Sequence, residues 1–440
     1  MRKLILKCGL SPGDIVMLTA AVRDLHCWYP GQFLTDVRTL CPGLWENNPH
    51  VTPLSDNDPE AVQVECTYPL IDRCNQTPYH CLHGFTEFLN DRLRVSIKPT
   101  ATPQIVWRGS VGTSDRSIFY PAPAGNAIYA AGAAGDITAF DATKGGTVAK
   151  FGAGQRISGG VGVGAGLIFA GTPRGEVLAF EPQGKLVWTA QLTSEVLAPP
   201  VAQDGVVVAR SGDGRVYGID AATGKRRWVY QRPTQVPLTV RTHAGLIVDR
   251  GGVFAGFAGG RLIALVLSNG SVAWEGIVAT PRGATELERV ADVTSLPAID
   301  GQRVCAVAFQ GRVACFDPSS GAPQWARDMS SVAGLTLDAR YLYATDEKDA
   351  VVAVDKTNGA SIWKQDKMSG RRVSGPLAFG RFVVVGDYQG YVHFLSREDG
   401  SFAARIATDG SAISAPPIAL DLSSFLVQTR NGGVFAITVQ

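Results

Sequence analysis

The side chains best suited to chemistry cluster near the amino terminus. Cys74-x5-His80-Cys81-x-His83 brings together the thiol and imidazole groups that ligate zinc. The spacing argues against a metal, because the paired C-x-x-C of zinc sites is absent and the adjacent His80 and Cys81 are awkward for joint tetrahedral ligation. Reduced, unpaired thiols are the expected state there. A second candidate is Asp14, which follows the loop Cys8-Gly-Leu-Ser-Pro-Gly and precedes an apolar stretch predicted to be a helix over 15–28. A Gly-rich loop after a strand is by itself a weak nucleotide signal, and Asp14 is expected to cap the helix. Beyond residue 103 there are two cysteines, Cys305 and Cys315, and two histidines, His243 and His393. No Ser-His-Asp order or paired-carboxylate motif stands out. Both cysteines have apolar neighbours on adjacent predicted strands and are expected to be buried and inert.

These residues must be positioned by a repeat. The phrase Gly214-Arg-Val216-Tyr-Gly218-Ile-Asp220-Ala-Ala-Thr-Gly224-Lys-Arg-Arg-Trp228 recurs, with starts at Gly135, Gly175, Gly214, Gly260, Gly311, Asp349, Gly390 and Gly432. The starts are 40, 39, 46, 51, 38, 41 and 42 residues apart, a period that suits one four-stranded propeller blade. The Gly at +10 can take the positive φ that a side chain resists, and the Asp at +6 can accept backbone N–H bonds in the same turn. The second strand of the phrase ends on Trp188, Trp228, Trp274, Trp325 or Trp363, large aromatics suited to wedging between blades. Two further strands precede each phrase, such as 206–209 after a weaker 196–202, and 382–385 after 373–379.

The last phrase stops at Gln440 before reaching its Trp, while Gln104-Ile-Val-Trp107-Arg-Gly-Ser110 is an orphan outer strand at the other end. The expected fold is therefore all-β: an eight-bladed β-propeller closed by pairing of its N- and C-terminal strands, which leaves no long edge unpaired. The two longest spacings mark insertions, and long loops on a rigid ring are where recognition usually sits.

With 45% hydrophobic and 18% charged residues the chain is globular, and a net charge of +2 argues against a nucleic-acid groove. No apolar run approaches the roughly 20 residues that span a bilayer. Residues 1–93 differ from the rest. They hold six of the eight cysteines, four of the six histidines and no copy of the repeat. Strands are predicted at 3–7, 32–37 and 62–66 around the helix, a small α/β, Rossmann-like half, with 94–103 an extended linker and 104–440 the propeller. Only three apolar residues separate Lys3 from Lys7, and Lys7 before Cys8 spoils a lipoprotein cleavage box, so no export signal is visible.

The stretch from Lys7-Cys-Gly-Leu-Ser-Pro-Gly-Asp14-Ile-Val through Tyr29-Pro to Leu44-Trp-Glu-Asn-Asn-Pro49 resembles the start of heptosyltransferase-like glycosyltransferases. That resemblance implies a base role for Asp14, but the donor-nucleotide half is missing and no transferase activity is expected.

From about Pro103 onward the chain resembles the BamB family of outer-membrane protein assembly factors. The supporting stretches are Pro237-Leu-Thr-Val-Arg241, Gly283-Ala-Thr-Glu286-Leu-Glu-Arg289-Val-Ala-Asp292-Val-Thr-Ser-Leu-Pro297, Val384-Val-Gly-Asp387-Tyr-Gln-Gly-Tyr391-Val-His393 and Asn431-Gly-Gly-Val-Phe-Ala-Ile437. The resemblance implies a non-catalytic scaffold, a lipoprotein at the periplasmic face of the outer membrane. It would bind BamA and other subunits of the assembly machinery and help deliver unfolded outer-membrane proteins. Carried over by motif, the BamA contacts fall on Leu238, Val240, Arg241 and Asp292, while Val240 and Thr294 depart from the family's commoner Leu and Asp. The alternative is a dehydrogenase that uses pyrroloquinoline quinone and calcium. Such enzymes carry adjacent cysteines over the cofactor, which this chain lacks, and no cofactor is expected. A fusion of a glycosyltransferase fragment to a BamB-type propeller accounts for the whole chain.

Overall fold

The structure, a computed structural model, describes residues 1–67, 84–97, 103–233, 238–240 and 244–439, with the backbone alone at 13 and 14. The cysteine-histidine cluster at 74–83 lies outside the described residues. The chain divides into two compact units, 1–102 and 103–440.

In the first unit, strands β1 (Arg2–Cys8), β2 (Phe33–Thr39) and β3 (Ala61–Glu65) form a parallel sheet in the order β2-β1-β3. Leu4 pairs with Thr35 on one side and Val62 on the other. Side chains alternate across a strand, so the complete burial of Leu4, Ile5 and Leu6 means that both faces of β1 are covered. Helices α1 (Pro12–Trp28) and α2 (Gly84–Leu93) supply Ile15, Leu18, Leu25, Phe85 and Leu89 to that core.

Helix α1 starts three residues earlier than expected. Proline suits a first helical position, where its missing N–H has no intrahelical partner anyway, and Ile15 N already donates to Ser11 O at 3.0 Å. Asp14 therefore lies inside the first turn and does not occupy the cap position. Residues 94–97, expected in an extended linker, are tied to the first unit. Ser96 N donates to Tyr29 Oη (2.8 Å) and Ile97 N to Asn90 Oδ1 (2.6 Å).

The second unit consists, among the described residues, of eight four-stranded antiparallel sheets. Blades 1 to 7 span 122–152, 159–191, 201–230, 246–277, 298–328, 334–365 and 377–407; blade 8 combines 418–439 with strand β4 (Pro103–Ser110). The terminal pairing is direct, with Ala436 opposite Trp107 and Val439 opposite Pro103. The first strand of a blade lies against the first strand of the next around much of the ring and is innermost. Two of these inner strands are shorter than expected, at Val201–Gln203 and Leu377–Phe379. The residues before them bond to the preceding blade instead: Val196 N to Thr172 O, and Val373 N to Asp349 Oδ1.

The repeat phrase explains how blades hold one another. Each tryptophan Nε1 donates to a carbonyl in the next blade: Trp188 to Ala221, Trp228 to Leu267, Trp274 to Pro318, Trp325 to Lys356 and Trp363 to Arg397, all at 2.7–2.9 Å. Trp107 does the same to Ala142, so the split blade 8 engages blade 1 by the rule used elsewhere. Each indole also lies flat on the +10 glycine of that next blade. At Gly270, with φ +72°, an added Cβ would sit 2.5 Å from Trp228 Cε3. The glycine is thus required twice, by its backbone conformation and by its neighbour. The Asp at +6 fixes the turn: Thr223 N donates to Asp220 Oδ1 (2.9 Å) and Ser320 N to Asp317 Oδ1 (2.8 Å).

Cys305 and Cys315 are directly opposed on neighbouring strands of blade 5, Cα atoms 4.1 Å apart, and form a disulfide. They are fully buried, as expected, but paired. Cys27, Cys41 and Cys66 carry free thiols.

Candidate partner-binding site

Two long connections interrupt the ring's regularity, 231–245 between blades 3 and 4 and 278–297 between blades 4 and 5. They account for the two longest repeat spacings. Both leave an outermost strand and enter the next innermost one, so they emerge on the same face of the ring.

Asp292 links them. Its side chain is only 2% exposed, and its two oxygens accept backbone N–H bonds from different segments: Val240 at 2.8 Å and Gly259 at 2.9 Å. Gly259 belongs to the turn between the second and third strands of blade 4. The carboxylate, itself part of the second insertion, therefore ties Val240 of the first to a blade turn. A carboxylate with both oxygens bonded and almost no exposed surface is placed to hold the Val240 segment in position. On that loop Leu238 is 38% exposed and Val240 half-buried. Arg241 lies outside the described residues. Thr294 is buried and donates to Ser331 O at 3.4 Å.

The second insertion presents its own hydrogen-bonded turn. Thr285 and Glu288 form a capping box, Glu288 N donating to Thr285 Oγ1 (3.2 Å) and Thr285 N to Glu288 Oε2 (3.1 Å), which leaves Leu287 71% exposed between them. The two backbone donors at Thr285 and Ala284 hold the Glu288 carboxyl below its usual range.

Beneath Asp292 a cleft of about 420 Å³ opens between blades 3 and 4, with Arg210, Arg232, Phe257 and Val240 in its walls. Arg210 Nη1 donates to Gly256 O at 2.5 Å, and its guanidinium lies 5.0 Å over the Phe257 ring. Burial pushes this guanidinium down to about 10, while the Asp292 carboxylate pulls it the other way. Sequence reasoning named Asp292 but missed Arg210. A signal was present: four residues before each phrase start stand Ala131, Gly171, Gly256, Val307, Thr345, Gly386 and Gln428, and blade 3 alone places a cation there.

The family model described as outer membrane protein assembly factor BamB matches residues 133–365 and 347–440. The curated outer membrane protein assembly factor BamB of Bordetella pertussis is 42% identical over 77% of this chain and 88% of its own length.

The chain belongs to the BamB family. Among solved structures, BamB from Moraxella catarrhalis superposes with a TM-score of 0.71 at 25% identity, covering 77% of this chain and all of that one. The quinohemoprotein alcohol dehydrogenase of Comamonas testosteroni reaches a TM-score of 0.62 at 12% identity, with 76% of each chain covered. That likeness to the BamB-family ring extends to the fold alone. The residues matched by the family model all lie in the second unit, and the glycosyltransferase resemblance of residues 1–93 gains no support from these comparisons.

Proposed function

We propose that the propeller is a non-catalytic scaffold of the outer-membrane β-barrel assembly machinery, binding BamA and assisting delivery and insertion of outer-membrane proteins at the periplasmic face of the outer membrane. Family membership supports this reading together with one observation, the Asp292 clamp that holds Val240 and thereby an exposed leucine loop. In this reading Leu238, Val240 and Arg241 touch BamA, and Asp292 is a positioning residue. A buried apolar anchor beside an arginine able to form bidentate pairs is a combination common at interface hot spots.

Titration of the full chain against purified BamA tests it. Leu238→Asp should weaken binding by about tenfold or more, since burying a leucine is worth about 1.5–3 kcal/mol. Arg241→Glu should act in the same direction without changing thermal stability. Unchanged affinity in both variants would discard the site.

A further inference from the structure

The motif Asp387-Tyr-Gln-Gly-Tyr391-Val-His393 plays no part in the site above, yet it builds a buried charged cluster inside the propeller. The Asp387 side chain is fully buried. It accepts from Arg371 Nη2 at 2.6 Å, from His393 Nε2 at 2.9 Å, and from the backbone N–H groups of Gln389 and Tyr391 at 2.9 and 3.0 Å. His393 is 4% exposed at a strand position that other blades fill with Thr138, Leu178, Tyr217, Ile263, Ala314, Val352 and Phe435, so blade 7 alone places an imidazole there. Burying an imidazole has a desolvation cost that packing alone gives no reason to bear.

The ring of His393 lines a cleft of about 390 Å³ between the exit of blade 6 and the outer strands of blade 7. Around it stand Lys367, Arg371 and Arg405, with Met368 and Phe402 as apolar walls. Arg371 is balanced by Asp387. Lys367 and Arg405 are exposed, and among the described residues neither has a carboxylate partner; Arg405 rests 5.0 Å over the Tyr391 ring. Two unbalanced cations, a third held by a buried carboxylate and an imidazole thus converge on one opening.

We propose that this cleft is an anion site for a phosphate group. Donors approaching from both the blade 6 exit and the blade 7 strands suit a tetrahedral anion with several acceptor oxygens better than a planar carboxylate, which one arginine fork satisfies. The exposed Phe402, at 44%, gives an adjoining apolar shelf, so the phosphate could be inorganic or carried by a lipid headgroup.

The test is calorimetric titration of the full chain at fixed ionic strength, with inorganic phosphate, acetate and monomeric short-chain phosphatidylglycerol as probes. Lys367→Glu/Arg405→Glu changes only exposed residues and should weaken phosphate binding about tenfold or more. Lys144→Glu/Lys225→Glu makes the same change in net charge on exposed residues of other blades and should leave binding unchanged. Phosphate and lipid binding equally would support a free-phosphate source, and much tighter lipid binding a headgroup. Acetate matching phosphate, no binding of any probe, or equal loss in both double variants would overturn the proposal.

Discussion

Replacing Gly270 by alanine should destabilise the ring by more than any backbone effect can account for. Two penalties meet there. A residue with a Cβ held at a left-handed φ costs roughly 1–2 kcal/mol, and the new methyl would have to displace the Trp228 indole from 2.5 Å, an overpacking that typically costs about 1–3 kcal/mol. The expected total is about 2–5 kcal/mol. Gly251, in the same blade, has φ +77° and nothing within 4 Å of an added Cβ, so Gly251→Ala should cost only the backbone share, about 1–2 kcal/mol. Urea unfolding with linear extrapolation measures both. The Trp228→Ala background supplies the decisive comparison. Removing the indole is itself expected to cost about 3–5 kcal/mol, but it frees the space over Gly270, so the second substitution should then cost no more than Gly251→Ala. Equal costs for the two glycine variants in the native background, or a Gly270 cost that persists without the indole, would refute the idea that this glycine is selected by its neighbouring blade.

Three other outcomes follow from the same geometry. Replacing both Cys305 and Cys315 by alanine should cost about 3 kcal/mol from the short loop they close, and denatured, unreduced protein should show no alkylation at either position. Asp387 is driven upward by burial, yet hydrogen bonds from His393, the Tyr391 amide and Arg371 together hold it at about 2, below its ordinary 3.8. Its contribution, about 2 kcal/mol, is present above pH 4 and lost as pH falls towards 2; acid unfolding of Asp387→Asn should lack that share, and an identical acid profile would count against it. Asp292→Asn should speed hydrogen exchange at the Val240 and Gly259 amides, read by amide-resolved exchange, and weaken BamA binding with little change in the rest of the ring.

The eight blades, their closure and the wedge role of the tryptophans were legible because each is a local rule repeated. Gly224, Asp220 and Trp228 announce a turn, its cap and the lock on the next blade within one fifteen-residue phrase. Residues whose partners lie far along the chain were harder to read. Nothing adjacent to Asp292 marks it as an acceptor for Val240, 52 positions away, and Arg210 meets Gly256 across a blade boundary. The disulfide fell between these cases. Cys305 and Cys315 were placed on neighbouring strands, but pairing depends on register, and a slip of one residue would have turned the two sulfurs to opposite faces.

The topology also explains how one ring can be both rigid and variable. In a four-stranded antiparallel blade, the first and third turns fall at one edge, while the second turn and the connection to the next blade fall at the other. The tryptophan locks all engage third turns, as at Leu267 and Lys356. The insertions at 231–245 and 278–297, the Gly259 turn, Arg371 and Asp387 all lie at the opposite edge. Inserted residues there lengthen a connection without touching a lock, so the loop-length cost is small and the inter-blade packing is unchanged. Recognition by this family can therefore diverge on one face while the face that fixes the blade number stays under packing constraint.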